Sequence, residues 1–463
     1  MRTDLLPETV DGLDEALDAV DAFDQVLLSG LLRPQPAQAA GLTALADAVA
    51  GSPLAARVAE AADKAVAGAA GEDHLLALAA ARAALLGSVH DALQARVDEV
   101  TGRPRAEESP GSRPSEEPSA NLLAAARTWL CDLARAGWQG IDHELVAGAA
   151  PVVSAMLPEP SLRRPATLLD GFAAELAASC PGTTLDRVPL RRWADLWSRA
   201  MLLTVPGATA SPATGTATGR LLPLGVDLLE HPTAVQAQVH AVLEPEDGGA
   251  PLLVRATASA PKPDTVVEAG LWQLLRPRFS LLTALGEGRS MWLDGMPLAA
   301  GGDLVWDDER ARPDEPADAF ATARVALSTA TTAPTAALDR HPAALAVPVL
   351  LEGYGVDDGE DTTVLDLPGC RLAVATHRVP SAGPLTPERI ASSRACVGLL
   401  RWDAGEFLLQ PLAVETTVRK KPVTVHAGAW AGGTTDKAGA RAEKAATDAV
   451  DRLRERAGRL LRK

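Results

Sequence analysis

The spacing of apolar residues changes near residue 220 of this chain, and no single-class fold accommodates both halves. Before that point they recur every three or four positions. Leu13, Leu17, Val20 and Leu27 lie on one side of a helix predicted over residues 8–32, and Pro34 and Pro36 stop it. Asp11, Asp14, Glu15, Asp18, Asp21 and Asp24 are expected on the other side. Ala/Leu-rich helical patterns continue to about residue 100, then again in NLLAAARTWLCDLARAGW, SLRRPATLLDGFAAELAASC and VPLRRWADLWSRAMLL up to residue 203. After residue 220, TAVQAQVHAVLE alternates apolar and polar residues with period two, EPEDGG supplies a turn, and PLLVRATA resumes, which predicts a hairpin. ATARVALST, LAVPVLLEGY, TTVLDL, CRLAVATH, CVGLLRW, EFLLQPLAVETTV and PVTVHAG read as further strands, KPDTVVEAGLWQLL as a helix, and TPERIASSRA as a short helix capped by Thr386.

The expected fold is therefore α+β and multidomain: an all-helical N-terminal half and a β-rich C-terminal region ending in a long basic helix. Two stretches punctuate it. TGRPRAEESPGSRPSEEPSA, residues 101–120, has no large apolar side chain and reads as a disordered linker. VPGATASPATGTATG, residues 205–219, is low in complexity and reads as a second linker. The domains expected are a helical module over 1–100, a second over 121–204, and a β-rich α+β domain over 220–463.

Aromatic residues make up only 3% of the 463, so the cores must be built from Ala, Leu and Val. The net charge of −16 disfavours general nucleic-acid binding, which needs cations to neutralise phosphates. The charge is uneven: from Arg419 to Lys463 there are twelve basic and five acidic residues, against 32 and 55 in the rest. Four scattered cysteines and an acidic N-terminal segment predict a cytoplasmic chain without a signal peptide. The most apolar run, LLALAAARAALLG, is interrupted by Arg82, and no membrane span is expected.

VTVHAGAWAGGTTDKAG, residues 423–439, has the strand–loop–helix context and glycine separation of a phosphate-binding loop. Thr434 stands where the lysine belongs, and only one helix follows, so the glycines read as a turn and the Thr/Asp residues as a cap. That final helix carries Ala446, Val450, Leu453, Ala457 and Leu460 as an apolar seam, surrounded by Arg441, Lys444, Arg452, Arg454, Arg456 and Arg459. It is the candidate partner-binding element, for an acidic protein face or for the acidic N-terminal helix; lacking aromatics, it is a poor platform for bases. Trp193 and Trp197, one turn apart beside Arg191, Arg192 and Arg199, read as interface anchors or as core.

No cofactor, metal or catalytic residue is assigned. The eight histidines do not cluster, and alternation places His240 beside Gln236 and Gln238 on a solvated face. VDDGED, residues 356–361, reads as a charged turn rather than a calcium loop. The leading functional expectation is a non-catalytic cytoplasmic adaptor or accessory subunit. The alternatives are an enzyme or small-ligand binder using His377, Arg401, Asp403 or Glu406 near strand ends, and weak nucleic-acid binding by the C-terminal helix.

Overall fold

The structure, a computed structural model, describes residues 1–106, 119–208, 213–231, 234–263, 266–359, 362–418 and 421–460. Most of the 101–120 linker lies outside these residues.

Among the described residues, nine helices fill the N-terminal half: α1 (Leu13–Ser29), α2 (Pro36–Ala48), α3 (Ala55–Val66), α4 (Glu72–Thr101), α5 (Ala120–Ala136), α6 (His143–Ala147), α7 (Ala149–Met156), α8 (Arg163–Ala178) and α9 (Leu190–Leu203). They share one core, to which both expected modules contribute. With so many small alanines, the scarce aromatics supply the bulk. Trp138 meets Trp193 and Phe172 edge to face, with ring centroids 5.8 and 6.1 Å apart. α4 is long and apolar enough to cross a membrane by length and composition, yet 56% of its most apolar 18-residue window is buried inside the fold. Its first half belongs to the helical core. Val89, Leu93, Val97 and Val100 of its second half pack on the β region, with Leu5 and Leu6 beside them.

The first sheet holds β1 (Ala213–His231), β2 (Ala234–Pro245), β3 (Leu252–Pro261), β4 (Arg289–Ala299), β5 (Asp303–Leu304), β6 (Ala311–Pro316) and β7 (Thr331–Thr332). Its order is β1-β2-β3-β5-β4-β6, β7 adds to β3, and a β1–β4 pairing closes the circuit. The predicted hairpin is β2–β3. α10 (Gly270–Leu275) and α11 (Leu281–Glu287) pack into the core of this sheet.

β1 begins at Ala213, inside the stretch read as a second linker, where it pairs with β4 from Ala213↔Ala299 onward. Backbone pairing needs no apolar side chains, so composition concealed it. ATARVALST is not a strand: it forms α12 (Ala319–Ala326), with Asp318 accepting a hydrogen bond from the Ala321 amide at 2.7 Å. The cap and the spacing of Phe320, Ala323 and Ala326 on one buried face outweigh the alternation read there.

The second sheet holds β8 (Val347–Glu352), β9 (Gly355–Asp358), β10 (Thr363–Leu367), β11 (Cys370–Val374), β12 (Ser393–Asp403), β13 (Glu406–Val418) and β14 (Lys421–His426), in the order β8-β12-β13-β11-β10-β9 with β14 beside β13. α13 (Pro387–Ala391) starts at the predicted Thr386 cap. Leu222 and Leu224 of β1, Val397 and Ala413 of the second sheet, and the α12 face form the seam between the sheets. α14 (Lys437–Leu460) ends the described chain.

Candidate functional site

The segment leading into α14 is built to turn the chain. A side chain at Gly428 would meet Leu285 Cδ2 at 2.6 Å and Val226 Cγ1 at 2.7 Å, so glycine lets the chain after β14 pass that close without displacing either. Gly433 has φ +110°, which favours glycine. Arg276 donates to the carbonyls of Ala431 and Trp430, at 2.7 and 3.3 Å. A phosphate cradle aims N–H groups at its ligand; this loop gives its carbonyls to a cation. Thr434 Oγ1 accepts from the Asp436 amide and Asp436 Oδ1 from the Ala438 amide, which starts the helix.

α14 is fastened along one side. Ala446 is buried against Gly270 of α10, with Ala442 and Val450 partly buried beside it. Glu443 pairs with Arg276 at 2.9 Å, its carbonyl accepts from Gln273, and Thr447 reaches the Gln273 side chain. The other side is open. Arg441, Lys444, Arg452 and Arg456 are exposed, at spacings of three, eight and four residues that keep them on one side, interleaved with the exposed Asp448, Asp451 and Glu455. The side chains of Arg441 and Lys444 make no hydrogen bond or ion pair among the described residues. The side chains of Leu453, Arg454, Ala457 and Arg459 lie outside the described residues.

The acidic row of α1 is also exposed at Asp11, Asp14, Glu15, Asp18 and Asp21, and among the described residues no ion pair joins it to α14. Asp24 is the exception in that row. It is buried and grips Arg82 of α4 through two bonds of 2.6 and 2.9 Å. Arg82 is 0% exposed and also meets Asp195 at 2.7 Å and Ser198 at 3.2 Å. Burial opposes the Arg82 charge, but Asp24 and Asp195 outweigh it and raise its pKa. The sequence signal for this cluster was the lone cation inside an apolar run.

Trp193 and Trp197 are 1% and 0% exposed, within the helical core, and the Trp197 indole donates to the Leu130 carbonyl at 2.9 Å. They are therefore not surface anchors: in a chain so poor in aromatics, the interior takes them. Arg192 is held by Glu175 at 2.8 Å, Arg191 by Asp21 and Arg199 by Asp339.

In the β-rich region, Asp403 and Glu406 flank the exposed β12–β13 turn and His377 sits exposed after β11, so these three do not converge on a site with Arg401. Arg401 is buried between the sheets, 2.6 Å from Asp227, whose other oxygen accepts from Gln410 at 2.7 Å. His240 is only 1% exposed, contrary to the solvated face expected for it, because a second layer covers that part of the sheet. Burial, then the charges of Arg255 and Arg401, depress its pKa to about 3.

Asp195 and His341 are 3.2 Å apart but poorly aligned, and His341 Nδ1 already accepts from the Ala343 amide. With one nitrogen engaged by the backbone and the other against a carboxylate, this pair holds residues 341–343 to α9 rather than presenting a base. Buried Cys131 and Cys396 have thiol pKa values pushed up by burial, to about 12 for Cys131, which leaves little thiolate. Among the described residues no group of three or more His, Cys, Asp or Glu side chains is placed to hold a metal ion. No protein-family model, curated protein or solved structure matches the chain.

Proposed function

We propose that this is a cytoplasmic binding protein, an accessory or adaptor subunit that docks an acidic face of another protein on the open side of α14. The observation that carries the reading is the division of that helix. Its small apolar residues and Glu443 are committed to the protein's own β region, while Arg441, Lys444, Arg452 and Arg456 stand exposed in one stripe. A charged stripe on a fixed helix gives orientation and fast association with a complementary surface. The four unpaired cysteines are consistent with a reducing compartment.

The test is purification of tagged full-length protein from its native host, beside a variant with Arg441, Lys444, Arg452 and Arg456 all changed to Glu. The reading expects a stoichiometric protein with an acidic surface that releases as salt rises and is absent from the variant. A partner retained by the variant, nucleic acid in its place, or no partner at gentle salt would each refute it.

A further inference from the structure

A cleft of about 1150 Å³ lies where the helical half meets both sheets, and its charge is opposite to that of the protein. Among the described residues, six arginines line it (Arg164, Arg199, Arg255, Arg340, Arg378 and Arg401) against three aspartates, Asp227, Asp303 and Asp339, in a chain of net charge −16. The lining carboxylates do not balance the guanidinium groups one for one, although Arg340 is paired outside the lining with Asp91 of α4 at 3.2 Å. Arg255 takes Asp303 through bonds of 3.0 and 2.8 Å, and Arg401 takes Asp227. Arg164 and Arg199, from α8 and α9, share the single carboxylate of Asp339.

The Arg378 side chain makes no hydrogen bond or ion pair among the described residues, and its Nε is buried without a partner there. Burial and the Arg378 charge together pull the pKa of Arg401 down, against the upward pull of Asp227. A half-buried cation that repels its neighbour is the group an incoming anion would relieve. No Phe, Tyr or Trp is among the described lining residues, so an aromatic ring finds nothing there to stack on.

We propose that this cleft binds a non-aromatic small polyanion, recognised by guanidinium groups through its phosphoryl or carboxylate oxygens. Both groups match the planar fork of arginine. At about 1150 Å³ the cavity is slightly larger than the usual range of small-molecule sites, and a positive recess in an acidic surface concentrates small anions. This site is independent of the docking stripe on α14.

Isothermal titration of the full chain with tripolyphosphate, citrate and ATP at low chloride tests the proposal. Saturable binding of tripolyphosphate or citrate is expected, with the tighter of the two identifying the chemistry, and with ATP no tighter than tripolyphosphate. Arg378→Gln should weaken binding about tenfold or more, since it removes a charge-assisted contact. It should leave the unfolding midpoint unchanged, because the Arg378 side chain has no partner among the described residues to lose. Arg255→Gln should weaken binding too, and Arg441→Gln on α14 should not. Absence of saturable binding by either simple anion, or equal binding by wild type and both cleft variants, would overturn the site. Tighter binding of ATP than of tripolyphosphate would overturn the non-aromatic assignment.

Discussion

Replacing His240 by leucine tests the burial of a group that the sequence placed on a wet face. The native imidazole stays neutral down to about pH 3, whereas in the unfolded chain it takes a proton below about pH 6.5. Between those values the unfolded state binds the extra proton, so the native state loses stability as pH falls. Each pH unit below about 6.5 costs about 1.4 kcal/mol, which gives about 2 kcal/mol at pH 5 and about 5 kcal/mol over the whole window. A leucine side chain cannot titrate, and the substitution removes an Nε2 that is buried without a hydrogen-bond partner among the described residues. Near pH 7.5 the two proteins should therefore differ by no more than about 1 kcal/mol. Urea unfolding followed by tryptophan fluorescence at several pH values is the assay. The other carboxylates and histidines titrate in both proteins and largely cancel in the difference. The variant should gain on wild type by about 2 kcal/mol between pH 7.5 and pH 5. Parallel stability curves would refute the argument, since they would mean His240 is as free to protonate in the native state as in the unfolded one.

Three further substitutions probe other parts of the fold. Arg82→Leu leaves Asp24 buried without its cation and should cost about 3–5 kcal/mol in chemical denaturation; Asp24→Asn in the same chain should return part of that loss. Gly428→Ala forces a methyl group against Leu285 and Val226 and should lower stability by about 1–3 kcal/mol, with hydrogen exchange rising first in β14 and the start of α14. Asp318→Ala removes the α12 cap and should cost about 1 kcal/mol; a circular-dichroism melt indistinguishable from wild type would show that the seam packing alone holds that helix.

The helical half and most strands were legible because amphipathic spacing is a local property. Thr386 as a cap and the Gly428–Gly433 punctuation needed only neighbouring residues. α12 was misread because ATARVALST satisfies both periods over so short a run, and its contacts with the β1–β12 seam decide between them. The first residues of β1 were missed because a ladder of backbone bonds asks nothing of Thr, Ala and Gly side chains.

The candidate sites divide in the same way. The basic stripe of α14 follows from helical spacing alone, and so does the acidic row of α1. Whether Trp193 and Trp197 face outward, whether His240 is wet, and which carboxylate meets Arg82 are long-range facts. Asp24 and Arg82 are 58 positions apart, and Arg401 and Asp227 are 174 apart. The arginine-lined cleft draws its walls from α8, α9, both sheets and the segment between them. Sequence by itself determined the helical half, most strands and the charge of each surface helix, because those depend on residues two to four positions apart. Tertiary structure alone decided which polar groups left water, because desolvation depends on what another part of the chain places on top of them.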